Sequence, residues 1–381
     1  MSTSQTQQIP EFMRAAVSRA PGQPMNLENI PTPRPQRDEV LVRVTACGVC
    51  HSDLHVLDGA IAFPHPAVLG HEISGTVAQL GPDTQRPGIK VGQRVSGAFL
   101  MPCGRCEHCA TGRDDLCTEF FDKNRLSGHL YDGTSRLHGA DGQSIAMYSM
   151  GGLAEYAVLP ITSVAPLPEG IETVPAAILG CAGLTAYGAV KRAADVRLGE
   201  TVAIVAVGGV GSNIVQLARA FGAAQVIAID VDDDKLAAAE RLGATLTINS
   251  RTTDARQAVL EATQGRGVNV ALEVLGIPQT FELALTLLAT GGRMVPVGLG
   301  TAGATAPVEI NLMVRRSLRI IGNYGARTRT DLPAVIDLAA QGALRYRDVV
   351  TRIYSLDEVN DAYQALRDGA ITGRAVIALT D

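Results

Sequence analysis

Hydrophobic and polar residues alternate with a period of two along much of the first half of the chain. Residues 39–45, Glu-Val-Leu-Val-Arg-Val-Thr, follow the pattern of a half-buried β-strand. Residues 67–80 and 92–97 continue it between turns that contain proline or glycine. The pattern therefore predicts short strands as the main elements up to about residue 180.

From about residue 183 to 322 the pattern changes to apolar segments separated by alanine-rich stretches. Strands that alternate with helices in this way form βαβ units, whose strands are parallel. The predicted strands are residues 201–207, 225–230, 268–274 and 292–298. After residue 325 we expect two helices and a closing strand, at residues 331–341, 356–368 and 373–378.

Length and composition limit the possible classes of protein. The 381 residues suggest two or three domains, and 46% hydrophobic with 19% charged residues exclude a disordered chain. A net charge of −5 without blocks of like charge argues against nucleic acid as a partner. The sequence contains no stretch of about 20 apolar residues, so it predicts no membrane span. The polar start lacks the cationic and apolar regions of a signal peptide, so we expect a cytoplasmic protein.

A glycine-rich turn follows the predicted strand 201–207. It contains Gly208, Gly209, Val210 and Gly211, and Asp230 ends the next strand 19 residues after Gly211. Such a turn lets a pyrophosphate approach a helix N-terminus, while the acid accepts hydrogen bonds from a ribose. A plain turn is the alternative, because Ala206 replaces the first glycine of the usual pattern. The carboxylate favours NAD over NADP, since it repels a 2′-phosphate.

Six of the seven cysteines lie between residues 47 and 117, and four of them form one tight group. Cys103, Cys106, Cys109 and Cys117 offer four thiolates within 15 residues. Four thiolates in tetrahedral arrangement are typical of structural zinc, which leaves no open position for chemistry. An iron–sulfur cluster or a redox pair is the alternative.

A second, dispersed group contains two cysteines and several histidines. It consists of Cys50-His51-Ser52-Asp53-Leu54-His55, then Gly70-His71-Glu72, then Cys181. Each residue alone is unremarkable, because buried cysteines and histidines are usually structural. Two cysteines with one histidine are also a known ligand set for catalytic zinc, whose fourth position stays open.

These segments resemble those of the zinc-dependent medium-chain alcohol dehydrogenases, over nearly the whole chain. Gly70-His71-Glu72-x2-Gly75-x5-Gly81 is similar to the zinc signature of that family, and the segments around Cys50 and Cys181 are similar to its other ligand segments. The resemblance implies an α/β fold. A GroES-like, β-rich catalytic domain would comprise residues 1–182 and 325–381, with a zinc lobe at about 100–118. A Rossmann-type NAD-binding domain with a doubly wound parallel sheet would comprise residues 183–324.

The resemblance also implies a role for each matching residue. Cys50, His71 and Cys181 would bind the catalytic zinc, and Asp53 and Glu72 would lie behind these ligands. Together with the structural zinc, each chain would hold two zinc ions. Ser52 and His55 would pass the released proton to solvent. The implied NAD contacts, besides the glycine turn, are His51, Asp230, Lys235, Leu299 and Arg374. The implied apolar pocket wall is Ile61, Phe99 and Leu299.

The implied activity is reversible hydride transfer between a primary or secondary alcohol and NAD, giving an aldehyde or ketone. The alternatives are a glutathione-dependent formaldehyde dehydrogenase, a non-catalytic zinc protein that kept the fold, and a zinc-free quinone or enone reductase. The 33 residues between Cys117 and Gly151 form a long loop, similar to that of the mostly dimeric members. We therefore expect a homo-oligomer, with a dimer favoured over a tetramer.

Overall fold

The structure is a computed structural model and describes residues 8–379. Its strands form three sheets, of five, seven and six strands. The strands are β1 Phe12–Ser18, β2 Asn26–Pro31, β3 Glu39–Val49, β4 Ala67–Val68, β5 Ile73–Leu80, β6 Arg94–Gly97, β7 Leu137–His138, β8 Ser144–Met147, β9 Tyr156–Pro160, β10 Val164–Pro166, β11 Thr201–Val205, β12 Gln225–Asp230, β13 Leu246–Asn249, β14 Val268–Glu273, β15 Leu288–Pro296, β16 Arg319–Ile320, β17 Val350–Ser355 and β18 Arg374–Ala378.

Most of the α-helices lie in the second half of the chain. They are α1 His51–Leu57, α2 Glu107–Ala110, α3 Thr173–Ala176, α4 Ala182–Tyr187, α5 Gly209–Ala220, α6 Asp233–Arg241, α7 Ala255–Ala262, α8 Pro278–Thr286, α9 Ile310–Arg316, α10 Thr328–Ala340, α11 Tyr346–Val349 and α12 Val359–Arg367.

The six-stranded sheet is parallel throughout, with the order β13-β12-β11-β14-β15-β16. The chain runs outward from β11 to one edge, returns to β14 beside β11, and then runs to the other edge. The predicted Rossmann-type, doubly wound sheet is therefore confirmed. A sheet of this order has a crevice at the carboxyl ends of β11 and β14, where ligands bind.

The seven-stranded sheet joins the two ends of the chain. β3 pairs with β5, β9 and β18, and β17 lies beyond β18. The side chains of β3 are almost all buried, which shows that both faces of the sheet are covered at this strand. The C-terminal strands thus share a sheet with the strand that precedes Cys50, which places Arg374 close to that residue.

Several predicted element bounds were wrong. The segment 67–80 is not one strand, because residues 69–72 separate β4 from β5 and carry His71 and Glu72. The strand predicted at 292–298 begins at Leu288 and passes through two glycines, which pattern analysis treats as breakers. The helix expected after the glycine turn, at residues 212–221, is α5 and begins at Gly209, so Gly209 and Gly211 lie in its first turn and Gly208 is its N-cap.

A helix that spans a membrane needs about 20 mostly apolar residues. Within residues 8–379 no single helix is long and apolar enough to span a bilayer. The consecutive helical segments 173–180 and 182–193 pass the length and composition test only as a pair, which is bent by 46°.

The lobe that carries Cys103, Cys106, Cys109 and Cys117 (the four-cysteine lobe) contacts two arginines at the start of α10, and Arg329 makes the closer ion pair. Arg329 Nη2 lies 2.7 Å from Asp114 Oδ1 and its Nε lies 2.9 Å from the same oxygen. The guanidinium also donates to the Cys109 carbonyl oxygen. The Asp114 side chain is 2% exposed and that of Arg329 is 33% exposed. This ion pair connects the lobe to a helix more than 200 residues later in the chain.

We expect Arg329→Met to destabilise the protein, because it leaves the buried Asp114 carboxylate without a cation. Removing one partner of a buried pair costs about 3–5 kcal/mol. We expect about 1–3 kcal/mol here, because the arginine is partly exposed. Denaturant unfolding measures the difference. Arg327→Met is the matched control, since its guanidinium is 35% exposed and lies 4.0 Å from Asp115. Equal losses in both variants would contradict this role of Arg329.

Candidate active site

A cleft of about 620 Å³ lies between the parallel sheet and the β-rich part of the chain. Residues from both parts line it, including most of the site residues predicted from the sequence. These lining residues are Cys50, His51, Ser52, His55, His71, Phe99, Cys181, Gly208, Gly209, Val210, Asp230, Lys235, Leu299 and Arg374. Asp53 and Glu72 lie behind this wall and are fully buried.

Four potential metal ligands meet at the wall of the cleft. One donor atom from each of Cys50, His71, Glu72 and Cys181 lies within 4.8 Å of the others. Cys50 immediately precedes α1, Cys181 immediately precedes α4, and His71 with Glu72 lies just before β5. Three separate segments therefore supply the set, and all four side chains are buried.

The imidazole of His71 is held by a carboxylate on its side away from the cluster. His71 Nδ1 lies 2.9 Å from Asp53 Oδ1, so Nε2 is the nitrogen left for a metal. The Asp53 carboxylate also accepts hydrogen bonds from the Gly70 N–H at 3.0 Å and the Tyr363 hydroxyl at 3.0 Å. Tyr363 was not predicted, because α12 is distant in sequence from Asp53 and the apolar spacing of this helix is that of an ordinary helix packed on a core.

The ionisable groups of the cluster shift one another's pKa values. A hydrogen bond with Cys181 and the charges of Arg374 and His71 hold the pKa of Cys50 well below its usual value, against burial. Burial raises the pKa of Glu72 to about 7, with Cys50 adding to the shift and Arg374 opposing it. Burial lowers the pKa of His71, but Asp53 and Cys50 outweigh it and the net shift is upward. The hydrogen bond with Cys50 and burial raise the pKa of Cys181 well above its usual value, so a metal bound there would have to displace the thiol proton. The soft thiolates and imidazole fit zinc.

Arg374 connects the ligand cluster to the glycine turn. Its Nε lies 3.3 Å from Glu72 Oε2, its Nη2 contacts Glu72 Oε1, and the same Nη2 lies 3.4 Å from Cys50 Sγ. On its other side, a Cβ placed on Gly209 would lie 2.9 Å from Nη1. The predicted cofactor contact of Arg374 is thus compatible with its position, and its ion pair with Glu72 is an addition.

The glycine turn presents a helix N-terminus to the cleft. Gly208 is the N-cap of α5, and a Cβ on Gly211 would overlap the Ala206 carbonyl oxygen. Ala206 adopts φ +75°, a conformation that costs energy for a residue with a side chain. Asp230 Oδ2 accepts the Val207 N–H at 2.9 Å, so the carboxylate at the end of β12 also fixes the turn.

Three cleft residues lie on α1. Ser52 and His55 are half-buried and one helical turn apart, which places both side chains on one face. His51 is exposed to solvent. Nearby protein atoms keep water from part of the ring and so lower the pKa of His51. The charge of Cys50 opposes this shift, and the charge of Arg374 adds to it.

The second cysteine cluster lies outside the cleft. Cys103, Cys106, Cys109 and Cys117 place their sulfur atoms within 4.8 Å of one another. Backbone N–H groups approach these sulfur atoms: Cys103 N lies 3.2 Å from Cys117 Sγ, and Cys106 N lies 3.3 Å from Cys103 Sγ. Hydrogen bonds from backbone and side-chain donors lower the pKa of Cys106 to about 6 despite burial, whereas burial raises that of Cys117 to about 11. Four sulfur donors with amide support fit structural zinc.

The structure places the three residues of the predicted pocket wall in different surroundings. Phe99 and Leu299 line the cleft, but Ile61 does not: it follows α1 and packs half-buried on the β-rich core. Aromatic residues that the sequence did not suggest line the cleft instead. The Tyr148 ring lies 5.6 Å from that of His71, and the Phe99 ring lies 5.6 Å from that of Tyr324. Tyr148 belongs to the long loop, which has no regular pattern to analyse.

Comparison with known proteins adds the family. Residues 36–169 match the alcohol dehydrogenase GroES-like domain, and residues 209–341 match the zinc-binding dehydrogenase domain. An alcohol dehydrogenase of Geobacillus stearothermophilus is 34% identical over 374 residues, which are 97% of this chain and 100% of the relative. The benzyl alcohol dehydrogenase structure from Acinetobacter calcoaceticus aligns with a TM-score of 0.91 at 32% identity, covering 97% of this chain and 100% of that one.

Two further solved structures hold a nicotinamide dinucleotide. The acetophenone reductase of Geotrichum candidum holds NAD and aligns with a TM-score of 0.79 at 29% identity, covering 98% and 99% of the two chains. A structure from Sinorhizobium meliloti holds NADP and aligns at 0.81 and 28%, covering 97% and 100%. The GroES-like prediction is confirmed. By both halves of its sequence and by its fold, the chain belongs to the zinc-dependent medium-chain alcohol dehydrogenases.

Proposed function

We propose that the protein is an NAD- and zinc-dependent alcohol dehydrogenase that interconverts primary or secondary alcohols with aldehydes or ketones. One observation carries this proposal: the cluster of Cys50, His71 and Cys181 lies on the wall of the same cleft that the glycine turn and Asp230 enter. A metal site and a dinucleotide site that share a cleft can bring an alcohol carbon close to a nicotinamide ring.

The residues of the chain would divide the work as follows. Bound zinc would make the alcohol oxygen more acidic, and bound NAD would accept the hydride. Cys50, His71 and Cys181 would hold the metal, with Asp53 orienting the imidazole of His71. The Ser52 Oγ would accept the alcohol proton while releasing its own hydroxyl proton towards His55, and His55 would deliver a proton to solvent. Phe99 and Tyr148 would exclude water from the reacting carbon.

NAD rather than NADP is supported by the charge at the end of β12. Asp230 lines the cleft, Asp232 is the N-cap of α6, and Asp233 and Asp234 are the first two residues of that helix. A 2′-phosphate there would meet several negative charges, whereas the ribose hydroxyls would find acceptors. Lys235 also lines the cleft, 3.8 Å from Asp232, and offers a donor to the ribose.

The cytoplasmic location and the dimer stay predictions. None of the seven cysteines forms a disulfide bond in the structure, which suits a reducing compartment. Ile310 and Val314 lie one helical turn apart on α9, with 78% and 72% of their surface exposed. An apolar pair of this kind next to the edge strand β16 supports contact with a second copy.

Native mass spectrometry of the purified protein should show two chains and two zinc ions per chain. We expect Cys50→Ala and Cys106→Ala each to lose one zinc, because each removes a ligand from a different site. Activity should be lost in the first variant, and stability should fall in the second. Wild-type protein with one zinc per chain would contradict the two-site assignment, and a single chain would contradict the dimer.

The ratio of kcat/KM for NAD to that for NADP should exceed about a hundred, because charge repulsion of several kcal/mol opposes the 2′-phosphate. Asp230→Asn keeps one side-chain oxygen for the turn but removes the charge, so it should lower that ratio by about tenfold or more. Glu240→Gln is the control, since this exposed residue lies near the other end of α6 and does not line the cleft. A wild-type preference for NADP would refute the role given to Asp230.

His55→Gln should lower kcat about tenfold or more between about pH 6 and 8, because glutamine cannot accept the relayed proton. The pH profile of kcat and its solvent isotope effect are the measurements. His138→Gln, at an exposed position in β7, is the control and should change neither. If the His55 variant keeps the wild-type rate and profile throughout this range, the relay must be abandoned.

A further inference from the structure

Arg125 is a cationic residue at the substrate side of the cleft that the chemistry above does not use. It ends the helical segment 120–125, in the long loop after the four cysteines, and it lines the cleft. Its Cζ lies 4.8 Å from the centre of the Tyr148 ring, whose centre is 5.6 Å from that of the His71 ring. The guanidinium and the metal ligand therefore contact the same aromatic ring.

The protein leaves this guanidinium short of partners. Its Nε donates to the Tyr324 hydroxyl at 3.1 Å, while its Nη1 is covered by protein and has no hydrogen-bond partner. Among residues 8–379, no carboxylate forms an ion pair with Arg125, in contrast to Arg136, whose guanidinium binds both Glu39 and Asp132. Buried donors without partners are rare, and a buried charge is normally paired.

The charge of Arg125 persists in this environment. Burial lowers its pKa, but Tyr148, Tyr324 and the more distant Asp53 raise it, and the net shift is upward. A permanent cation in a largely apolar cleft attracts an anion more strongly than it would in water. The nitrogen left for a ligand is Nη2, which has no hydrogen bond among residues 8–379 and which protein does not cover, so a carboxylate in the cleft would pair with the guanidinium there.

We propose that Arg125 selects alcohols and aldehydes that carry a carboxylate at the end remote from the reacting carbon, so that hydroxy acids and their aldehyde acids are the substrate class. This inference rests on the proposed function. The carboxylate is unchanged in the reaction: the carbinol C–H gives a hydride to NAD, the O–H gives a proton to solvent, and the aldehyde acid and NADH are the products.

The test compares three substrates that differ in one para substituent: benzyl alcohol, hydroxymethylbenzamide and hydroxymethylbenzoate. We expect wild-type kcat/KM to be highest for the benzoate. Arg125→Met should lower the ratio of benzoate to benzyl alcohol about tenfold or more, and Arg125→Lys should keep most of it, because it keeps the charge. A benzoate that is no better than the amide in wild type, or a ratio that is unchanged in Arg125→Met, would overturn the inference.

Lys123→Met is the matched control. Lys123 lies on the same helical segment, pairs with Glu119 at 2.8 Å and does not line the cleft. We expect it to leave both the activity and the substrate ratio unchanged. A fall in the ratio equal to that of Arg125→Met would show a general effect of charge on this segment and would refute a specific contact.

Binding without turnover separates this inference from the proposed function. Calorimetry with the NADH-loaded zinc protein measures the affinity of each alcohol when no hydride can be accepted. Tighter binding of the benzoate in wild type, lost in Arg125→Met, supports the contact even if no alcohol is oxidised, which would refute the proposed function alone. Equal affinities for the benzoate and the amide would refute the contact even if the enzyme oxidises both.

Discussion

An excess of buried acidic groups governs the centre of this protein. The thiols of Cys50 and Cys181 and the carboxyls of Glu72 and Asp53 share one buried region with the side chains of His71 and Arg374. Taking such groups out of water costs several kcal/mol each unless opposite charge or hydrogen bonds compensate. A bound divalent cation would compensate the acidic groups once both thiols are thiolates, and the surrounding elements hold these ligands close together.

The topology explains how these ligands meet beside a dinucleotide site. The switch point between β11 and β14 creates a crevice at one edge of the parallel sheet, and the β-rich part of the chain closes it. Because β18 returns to pair with β3, the last strand places Arg374 between the cluster and the glycine turn. Neither part of the chain would form this site alone.

The sequence allowed the fold class, the family and the enzyme class to be predicted, and all three are confirmed. The reason is that periodicity and metal-ligand spacing are local signals. The spacing of Cys103, Cys106, Cys109 and Cys117 lies within one short segment, and each segment with a catalytic-site ligand has its own motif. The structure brings these groups together as predicted clusters.

The wall of the cleft was much less predictable. Arg125 comes from a short helical segment, and Tyr148 and Tyr324 come from irregular segments. Tertiary packing decides which way these three side chains point. Ile61 is the opposite case: the family resemblance placed it in the pocket wall, but its side chain packs on the core instead of lining the cleft. A similar position in the sequence does not fix the direction of a side chain that follows the end of a helix. The start of α5 was predicted too late in the chain, because glycine disfavours the interior of a helix but is permitted in its first turn, where Gly209 lies.

Gly209 has a consequence for attempts to redesign the cofactor preference. Any side chain added at this position would press on Arg374, which holds Glu72 and contacts Cys50. A change made for the dinucleotide would therefore alter the charge balance around the metal ligands. Substitutions in the turn and in the ligand cluster should be strongly non-additive, so the two sites form one unit for engineering and must be optimised together.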